Sequence, residues 1–549
     1  MPIVYIDDKE VHLQQHERLN GIQAAARAGV QIPYYCWHPG LSVVASCRMC
    51  LVECGKRDPQ TGQISMLPKL VPACQTPATD GTVFLTNSDR VREARAMVEE
   101  DLLLRHPIDC PICDKAGECR LQDYHFLHGR GQRRADIKPF TSRKRSLGPT
   151  ITLFVDRCIM CSRCVRFCRE IAGTSELMVV NRGAHEEIDV FPGFPLSNKL
   201  AGNVVDLCPV GALADKDFLY RQRVWYLKSH PHVCAGCSTG CSIYVDQNQD
   251  RIWRLRPREN PHVNQWWMCD EGRYGWKYVH DPNRITAPCR RQEGQLKCID
   301  WDTVWADLET QLPSVGGWTA VLSPFQTVEE AYLLAELVRS VDPDATIAVG
   351  PIPSQGRDER FPNGFTIRAE KCPNRIGVQT LAGQLQGELL SWEELKSRWK
   401  SQPPEGGLWI AGGYPASPWQ SDDVEVARRA RLLVVQELFP SALGAVADYR
   451  LPAAAFVERE GSYVNVHHRL QVFQWAIRPP RGVYHDGHIY WKLLGRPGLY
   501  RSAPVLQEVA ERFLAFAAAK GEIPDVGVDL RIVQLAEPAE TVMTSINSA

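Results

Sequence analysis

The sequence predicts a multidomain α+β protein. Its 549 residues are enough for three or four domains of ordinary size. Strand-like runs, a helical run and a long cysteine-bearing loop follow one another near the N terminus, and strand-like and helical runs alternate after about residue 286. A further observation divides the chain, because 19 of its 20 cysteines lie between Cys36 and Cys298. We therefore expect thiol chemistry in the first half and an α/β layer arrangement in the second.

The composition excludes several classes of function. The net charge is −1 and the isoelectric point is near 6.9, so the overall charge favours neither nucleic acid nor an anionic membrane as a partner. No stretch approaches the roughly 20 apolar residues that span a bilayer. The opening residues lack the basic start and apolar run of a secretory signal. We therefore expect reduced, intracellular thiols that bind metal.

Local patterns predict the N-terminal elements. The opening run IVYIDDKEVHL predicts two strands around a polar turn. The next run, LNGIQAAARAGV, predicts a helix that Asn20 caps and Gly29 ends. Apolar residues at helical spacing predict another helix over 88–105, and Pro107 follows its end. These elements indicate a small α+β domain over residues 1–85, followed by a helix.

Two further regions have distinct patterns. Residues 129–147 are basic and contain glycine, which is typical either of a solvated linker or of a segment that docks on an acidic neighbour. After about residue 286, alternating strand-like and helical runs predict a parallel α/β sheet. The strand-like runs are TAVLSPF, ATIAVG, GLWIAGG and RLLVVQ, and the helical runs are VEEAYLLAELVRSV and DDVEVARRARL.

Four sets of cysteines carry the chemical signal, because iron-sulfur clusters and zinc both bind thiolates and the spacing distinguishes them. The first set has three cysteines on one loop and a fourth on a later strand, which suits a 2Fe-2S cluster and no common zinc site. Its members are Cys36, Cys47, Cys50 and Cys74. Cys54 competes with Cys74 for the last position, but it lies only four residues after Cys50, and we favour Cys74.

The second set has only three cysteines, Cys110, Cys113 and Cys119, spaced Cys-x2-Cys-x5-Cys. A 4Fe-4S cluster has four irons to ligate, so a fourth ligand must come from elsewhere. His106 precedes the first of these cysteines by four residues, after the predicted helix. An isolated histidine is ordinarily a polar residue with a satisfied hydrogen bond, but the missing ligand favours His106 as the fourth.

The third set joins the run Cys158, Cys161 and Cys164 to a later Cys-Pro cysteine, Cys208. This Cys-x2-Cys-x2-Cys run with a Cys-Pro is typical of a ferredoxin 4Fe-4S cluster. Cys168 also follows the run, but no proline succeeds it, so we interpret it as a packed helical thiol.

The fourth set is Cys234, Cys237, Cys241 and Cys269, spaced Cys-x2-Cys-x3-Cys-x27-Cys. Zinc sites ordinarily use two separated cysteine pairs, so a clustered triple with one distant cysteine indicates a third 4Fe-4S cluster. The cysteines outside the four sets are Cys54, Cys168, Cys289, Cys298 and Cys372.

The order and spacing of these motifs resemble the family of large iron-sulfur subunits, of the 75-kDa type, of NADH-quinone oxidoreductase, respiratory complex I. The resemblance covers roughly residues 1–285. It implies an N-terminal β-grasp 2Fe-2S ferredoxin-like domain, a 4Fe-4S segment with one His and three Cys ligands, a ferredoxin-like 4Fe-4S segment, and a 4Fe-4S domain of molybdopterin-oxidoreductase type. The expected domains are 1–85, 86–128, a basic linker at 129–147, 148–225, 226–285, and a truncated α/β molybdopterin-oxidoreductase-like domain at 286–549.

The second half resembles molybdopterin oxidoreductases in fragments, CDEGRYGWKYVHDPNRITAP and ADYRLPAAAFVEREGSYVNVHHRLQ. Active members of that family carry Lys in a Cys-x-Lys-Gly-Arg segment, where this chain has Glu271. The remaining 280 or so residues are also few for domains that enclose a pterin. We therefore expect no molybdopterin and no metal at Cys372.

The sequence has neither a G-x-G-x-x-G motif after a strand nor a G-x-x-x-x-G-K-[ST] loop, the two glycine-rich motifs that bind nucleotides. It also suggests no nucleophile and no acid-base pair, so we expect no catalytic residue on this chain. The resemblance implies one 2Fe-2S and three 4Fe-4S clusters that relay electrons toward quinone in a proton-translocating complex, with the fourth cluster on or off the main path. The implied partners are a flavoprotein NADH-oxidising subunit, a 2Fe-2S subunit and a quinone-proximal iron-sulfur subunit. We expect a hetero-oligomer on the cytoplasmic face of the inner membrane, peripheral, with no membrane span and no nucleic acid.

Three alternatives stay open at this point. The first is an electron-transfer subunit of an NAD-linked hydrogenase or formate dehydrogenase, which uses the same N-terminal motifs. The second is a zinc-bound scaffold, and the third is an independent molybdenum oxidoreductase.

Overall fold

The computed structural model describes residues 1–132, 134–141, 143–183, 185–402 and 405–532. The described residues form two compact units, one within residues 1–227 with 361–364 and one within residues 228–360 with 365–532. Residues 133 and 142 of the predicted linker, and residues 533–549 of the predicted last domain, lie outside the described residues.

The first unit contains thirteen strands and five α-helices among its described residues. The strands are β1 (Ile3–Ile6), β2 (Lys9–His12), β3 (Leu19–Asn20), β4 (Leu51–Arg57), β5 (Ile64–Met66), β6 (Val71–Pro72), β7 (Pro77–Ala78), β8 (Thr82–Leu85), β9 (Lys144–Ser146), β10 (Ile151–Phe154), β11 (Leu177–Val180), β12 (Glu187–Val190) and β13 (Leu213–Asp215). The helices are α1 (Gly21–Arg27), α2 (Asp89–Arg105), α3 (Arg120–His128), α4 (Arg163–Phe167) and α5 (Asn203–Leu207).

The predicted N-terminal elements are confirmed. β1 and β2 form an antiparallel hairpin, and Asp7 adopts the left-handed conformation at its turn. β1 also pairs in parallel with β8, within a sheet of order β2-β1-β8-β4-β5 in which β6 pairs with β4. The side chain of Asn20 caps α1 by accepting from Gln23 N–H at 3.0 Å, and Ser88 caps α2. Apolar side chains of α1, such as Ile22, pack in one core with those of this sheet, such as Ile6 and Phe84.

The basic segment docks on acidic neighbours. Arg130 forms ion pairs with Glu93 and Glu100 of α2, and Arg134 pairs with Glu100 at 2.7 Å. Lys144–Ser146, within the predicted linker, form β9, which pairs with β10. This part of the segment is therefore ordered by a strand pairing that its composition did not predict.

The second unit contains fifteen strands and nine α-helices among its described residues. The strands are β14 (Lys228–Val233), β15 (Ser242–Asn248), β16 (Arg251–Pro257), β17 (Cys289–Gln292), β18 (Gln295–Cys298), β19 (Thr319–Leu322), β20 (Thr346–Val349), β21 (Glu359–Arg360), β22 (Thr366–Ile367), β23 (Gly407–Ala411), β24 (Leu432–Glu437), β25 (Tyr449–Pro452), β26 (Gly461–Val464), β27 (Arg469–Phe473) and β28 (Val528–Asp529). The helices are α6 (Asp270–Tyr274), α7 (Trp301–Ser314), α8 (Val328–Val341), α9 (Arg375–Gln386), α10 (Trp392–Ser401), α11 (Ser421–Ala427), α12 (Ala442–Val446), α13 (Asp486–Leu493) and α14 (Ser502–Arg512).

A seven-stranded sheet organises the second unit, with the order β18-β17-β25-β24-β23-β19-β20. Its last five strands pair in parallel, as the alternating runs predicted. Successive side chains of these strands enter two separate apolar cores, as Val434 and Val435 of β24 do. Because both faces are covered, the strands are almost wholly apolar. In the described part of the chain, no helix has both the length and the apolar character to cross a membrane.

Buried carboxyl groups make the stability of this unit depend on pH. Glu329 is 1% exposed, and burial raises its pKa to about 8, although Ser462 N–H donates to its Oε2 at 2.8 Å. The folded chain therefore holds a proton that the unfolded chain releases above its ordinary pKa of 4.5. The stabilising contribution is present below pH 4.5 and is lost as the pH rises to about 8.

We predict that Glu329→Gln removes the loss of stability that the second unit shows as the pH rises. The variant should be about 1–3 kcal/mol more stable than the parent chain at pH 9, with a smaller difference at pH 5. Urea unfolding followed by tryptophan fluorescence at both pH values measures the effect. The exposed Glu425→Gln serves as the control, and an equal difference at the two pH values would contradict the prediction.

Candidate metal centres

The first set of thiols lies on the loop before β4 and directly after β6. Cys36 N–H donates to Cys47 Sγ at 3.5 Å. Side-chain hydrogen bonds join Cys36 to Cys47 and Cys50 to Cys74, and they lower the pKa of Cys36 to about 5 and also lower that of Cys50. The structure therefore brings these four thiols together.

Cys54, the competing residue, lies on β4 opposite Phe84 of β8. Its thiol faces the carbonyl oxygen of Gly55 at 4.0 Å, and burial raises its pKa. Cys54 lies within β4, where strand pairing holds it, whereas Cys50 lies in the loop before β4. Cys74, and not Cys54, forms a side-chain hydrogen bond with Cys50, which favours Cys74 as the fourth member of the set.

A buried guanidinium group lies beside the first set. Arg95 of α2 is 3% exposed, and its Nε and Nη2 groups have no acceptor among the described residues. Burial lowers the pKa of Arg95 to about 10, and the negative charge of a Cys50 thiolate opposes that shift. An anionic group held by the four thiols would compensate this buried positive charge.

The second set lies between α2 and α3. Cys113 interacts electrostatically with both Cys110 and Cys119. Burial lowers the pKa of His106 to about 4, and the charge of Arg157 adds to this effect. The imidazole is therefore neutral at pH 7, which is the form that binds metal. Arg157 also acts on Cys113, where it opposes the larger effect of burial. The structure thus gathers the three thiols and places His106 in the field of the same guanidinium.

The third set surrounds one small cavity. Its four thiols all line this cavity: Cys158, Cys161, Cys164 and Cys208. Met160 N–H donates to Cys158 Sγ at 3.4 Å. Burial and the neighbouring thiolates raise the pKa of Cys158 and Cys164, and raise that of Cys161 to about 11. Cations compensate such buried thiolates, so the set favours a metal centre. Cys168 lies instead in the π-helical turn Cys168–Ala172.

The fourth set also surrounds one small cavity. Its four thiols line it: Cys234, Cys237, Cys241 and Cys269. Gly236 N–H donates to Cys234 Sγ at 3.5 Å and Gly272 N–H to Cys269 Sγ at 3.3 Å. A Cβ atom at Gly272 would lie 3.0 Å from Cys234 Sγ, so glycine leaves this room free. Glu271 forms an ion pair with Lys371 at 2.7 Å.

The donor chemistry of these sites fits iron-sulfur clusters. Among the described residues, no three His, Cys, Asp or Glu side chains form a group that could hold a single metal ion directly. The third and fourth sets instead enclose a space, and backbone N–H groups face the sulfurs. Thiolate ligands with N–H donors to sulfur are the ordinary surroundings of iron-sulfur clusters.

Two buried arginines connect the loops of the first and third sets. Arg163 is 3% and Arg166 is 2% exposed. Arg163 donates to Trp37 O at 2.5 Å and to Leu207 O at 3.1 Å. Arg166 donates to Cys36 O at 2.5 Å and to Cys161 O at 3.3 Å, and also to the carbonyl oxygen of Ser42. These contacts hold the two sets at a fixed separation and bury two positive charges between them.

Five protein-family models match successive segments of the chain. They are a 2Fe-2S iron-sulfur cluster binding domain (residues 3–89), the NADH-ubiquinone oxidoreductase-G iron-sulfur binding region (95–134), the ferredoxin-like domain of NADH-quinone oxidoreductase subunit 3 (148–214), the molybdopterin oxidoreductase Fe4S4 domain (227–281) and molybdopterin oxidoreductase (379–496). The chain therefore carries 2Fe-2S and 4Fe-4S binding domains in the predicted order, and the predicted fold class is confirmed.

Similar proteins share a common description. The G subunit of NADH-quinone oxidoreductase from Rickettsia felis is 33% identical over 341 residues, which cover 61% of this chain and 48% of that protein. Subunit 3 from Thermus thermophilus is 37% identical over 347 residues, which cover 58% and 44%. The chain is homologous to these subunits of NADH-quinone oxidoreductase. The 75-kDa subunit of NADH-ubiquinone oxidoreductase from Reclinomonas americana is 34% identical over 341 residues, covering 62% of this chain and 48% of that protein.

The chain spans about half of the length of these relatives or less. A solved structure of an NAD+-reducing nickel-iron hydrogenase in the H2-reduced state covers 41% of this chain and 91% of its own, at 26% identity and a TM-score of 0.34.

The cysteine spacings predicted the four sets but not the residues that surround them. Arg163 and Arg166 lie within and directly after the third cysteine run, in CSRCVR. The sequence therefore contained a signal for charge compensation, namely two basic residues three positions apart in a run of cysteines. Arg95 had no such signal, because only the fold brings α2 beside Cys50.

One short segment serves both the second and the third set. Pro209, Val210 and Ala212 line the cavity of the third set. A Cβ atom at Gly211, within the same segment, would lie 2.2 Å from Cys113 Sγ of the second set. The segment therefore separates the two sites and leaves no room for a side chain at Gly211.

We predict that Gly211→Val displaces Cys113 and removes one 4Fe-4S cluster. The iron content should fall by about four atoms per chain, because a Cβ atom and a thiol cannot approach so closely. Iron analysis and EPR of the reduced protein measure the loss. Gly131→Val, where no atom lies within 4 Å of the added Cβ, is the control. Equal iron in the two variants would refute the prediction.

Proposed function

We propose that this chain is the electron-relay subunit of an NADH:quinone oxidoreductase of the complex I type. In this proposal it receives electrons from a flavoprotein that oxidises NADH and passes them toward quinone. The observation that carries the proposal is that the four cysteines of the third set line one cavity and the four cysteines of the fourth set line another. The homology to the G subunit from Rickettsia felis supports the same function.

The proposed ligands follow the four sets and bind one 2Fe-2S and three 4Fe-4S clusters. When bound, such clusters supply one-electron transfer without bonds to a substrate. The chain's own residues hold the sulfurs, exclude water and supply buried positive charge. The proposed ligands are Cys36, Cys47, Cys50 and Cys74 for the 2Fe-2S cluster, and His106, Cys110, Cys113, Cys119, Cys158, Cys161, Cys164, Cys208, Cys234, Cys237, Cys241 and Cys269 for the others.

The proposed setting is a hetero-oligomer at the cytoplasmic face of the inner membrane. The partners in this proposal are the flavoprotein, a 2Fe-2S subunit and a quinone-proximal iron-sulfur subunit. The names of the similar proteins support it, since each is a subunit of a multi-subunit oxidoreductase. The domain limits given above belong to the same proposal, and no molybdopterin is included.

Anaerobic purification followed by metal analysis and EPR tests the proposed function. We expect about fourteen irons with matching acid-labile sulfide, together with one 2Fe-2S and several 4Fe-4S signals after dithionite reduction. Zinc without sulfide would overturn electron relay, and molybdenum with a pterin would indicate an independent oxidoreductase. Co-purification with hydrogenase or formate dehydrogenase subunits would assign the relay to another NAD-linked complex.

We predict that His106→Ala perturbs one 4Fe-4S signal and leaves the 2Fe-2S signal intact. His106→Cys should restore a cluster at lower potential, because a thiolate adds negative charge that neutral imidazole does not. Potentiometric EPR measures both effects, with the exposed His16→Ala as the control. Unchanged spectra in His106→Ala would exclude this histidine as a ligand.

A further inference from the structure

Two cysteines outside the four sets face each other on one hairpin. Cys289 of β17 and Cys298 of β18 are directly opposite in the antiparallel register. Their Sγ atoms are 3.2 Å apart. This hairpin forms the edge of the seven-stranded sheet, with β18 as the outermost strand.

The backbone geometry permits a disulfide between them. Opposed residues of an antiparallel pair have Cα atoms about 4.5–5.5 Å apart, and disulfides form at about 4.4–6.8 Å. The sulfurs must approach from 3.2 Å to a bond length of about 2.05 Å. Rotation of the two side chains suffices for this movement, because the register already aligns them.

The two thiols differ in access and surroundings. Cys298 is exposed, whereas Cys289 is 2% exposed. Arg450, the partner of Cys289 on β25, donates from Nη2 to Cys289 Sγ at 3.4 Å. Burial raises the pKa of Cys289, and the hydrogen bond with Cys298 adds to this effect, while Arg450 opposes both. An accessible thiol beside a second, guanidinium-contacted thiol is the arrangement of an attacking and a resolving cysteine.

We propose that Cys289 and Cys298 form a dithiol-disulfide modification site for small disulfides. The Cys298 thiolate attacks one sulfur of a disulfide RSSR, forms a mixed disulfide and releases one RS⁻. The Cys289 thiolate, stabilised by Arg450, then attacks the Cys298 sulfur and expels the second RS⁻. The two protons lost by the cysteines convert the released thiolates into two thiols. The protein loses two electrons, and the small disulfide gains them.

The site is independent of the proposed electron relay. Neither cysteine belongs to a proposed cluster, and both lie on strands of the sheet rather than on a thiol-bearing loop. The new bond would join adjacent strands at an exposed edge. Because the Cys298 sulfur is exposed, a reductant can reach the bond from that side, so the modification is reversible.

The test uses the full-length chain, purified anaerobically with its iron and exposed to oxidised glutathione. After acid quenching and alkylation, trypsin separates the two cysteines, because Arg290, Arg291 and Lys297 lie between them. We expect the peptides that contain Cys289 and Cys298 to be recovered as one linked pair, which dithiothreitol separates. Iron content should stay unchanged, which distinguishes this reaction from loss of a cluster.

Two variants separate the steps. Cys289→Ser should accumulate the mixed disulfide at Cys298, because the resolving thiol is gone. Cys298→Ser should give neither the linked pair nor a mixed disulfide at the buried Cys289. The proposal is overturned if the parent chain keeps both thiols free or accumulates only the mixed disulfide. A failure of the electron-relay proposal would appear in the metal analysis and would leave this outcome unaffected.

Discussion

Arg166→Gln is expected to change two EPR signals together, those of the 2Fe-2S cluster proposed at the first set and of the 4Fe-4S cluster proposed at the third. The guanidinium donates to carbonyl oxygens of both cysteine loops, those of Cys36 and Ser42 in the first and of Cys161 in the third. Glutamine is too short to reach all three. Each buried carbonyl left without a donor costs about 1–3 kcal/mol, so both loops should loosen.

The same substitution removes a buried positive charge, and both potentials should fall. A unit charge about 10 Å from a cluster contributes about 1.7 kcal/mol at an effective dielectric constant of 20, which equals about 70 mV in a one-electron couple. Potentiometric EPR measures these shifts. Arg166→Lys keeps the charge but loses the forked donors, so it should retain the potentials better than the glutamine variant.

Arg169→Gln, three residues further along, supplies the matched control. Its side chain is 62% exposed and pairs only with Glu170 at 3.0 Å among its ion pairs in the described chain. We expect parent-like signals from it. Shifts of equal size in the Arg166 and Arg169 variants would show that the buried guanidinium has no special role.

Arg459→Met is expected to lower the unfolding free energy of the second unit by about 3–5 kcal/mol. Arg459 is 1% exposed and pairs with Glu330 at 2.7 Å and with Asp486 at 3.2 Å. It also donates to the carbonyl oxygens of Phe325 and Ala454. Removing it leaves two buried carboxyl groups without their cation, so the loss exceeds that of an ordinary ion pair.

A second substitution separates charge from packing. Arg459→Met combined with Glu330→Gln should recover part of the lost stability, because one of the uncompensated carboxyl groups is then neutral. Urea unfolding, followed by the fluorescence of buried tryptophans, measures the stability of Arg459→Met, of the double variant and of the control described next. Arg478→Met, whose side chain is 75% exposed and pairs with Asp250 at 2.6 Å, should cost less than about 1 kcal/mol. A double variant no more stable than Arg459→Met would attribute the effect to packing alone.

The sequence was informative wherever the signal is local. The cap at Asn20, the hairpin at Asp7 and the alternation of strands and helices after residue 286 all depend on neighbours within a few positions. The cysteine spacings are local in the same sense. Three of the sets needed one distant member each, Cys74, Cys208 and Cys269, and the second set lies within one short segment.

Contacts between distant segments could not be read in this way. Arg166 and Cys36 are 130 positions apart, so no pattern in either segment announces the bond. Glu329 and Glu330 begin an apolar helix and read as an ordinary acidic first turn, yet the fold buries both. β9 has the composition of a linker, and only its pairing with β10 orders it.

The segment at Gly211 has a consequence for biogenesis. Its backbone is a common partition, with Cys113 of the second site on one side and the cavity of the third site on the other. A movement of this backbone that accompanies loading of one proposed centre would therefore also move the wall of the other. We therefore expect that filling one of the two proposed centres changes the rate at which the other is filled.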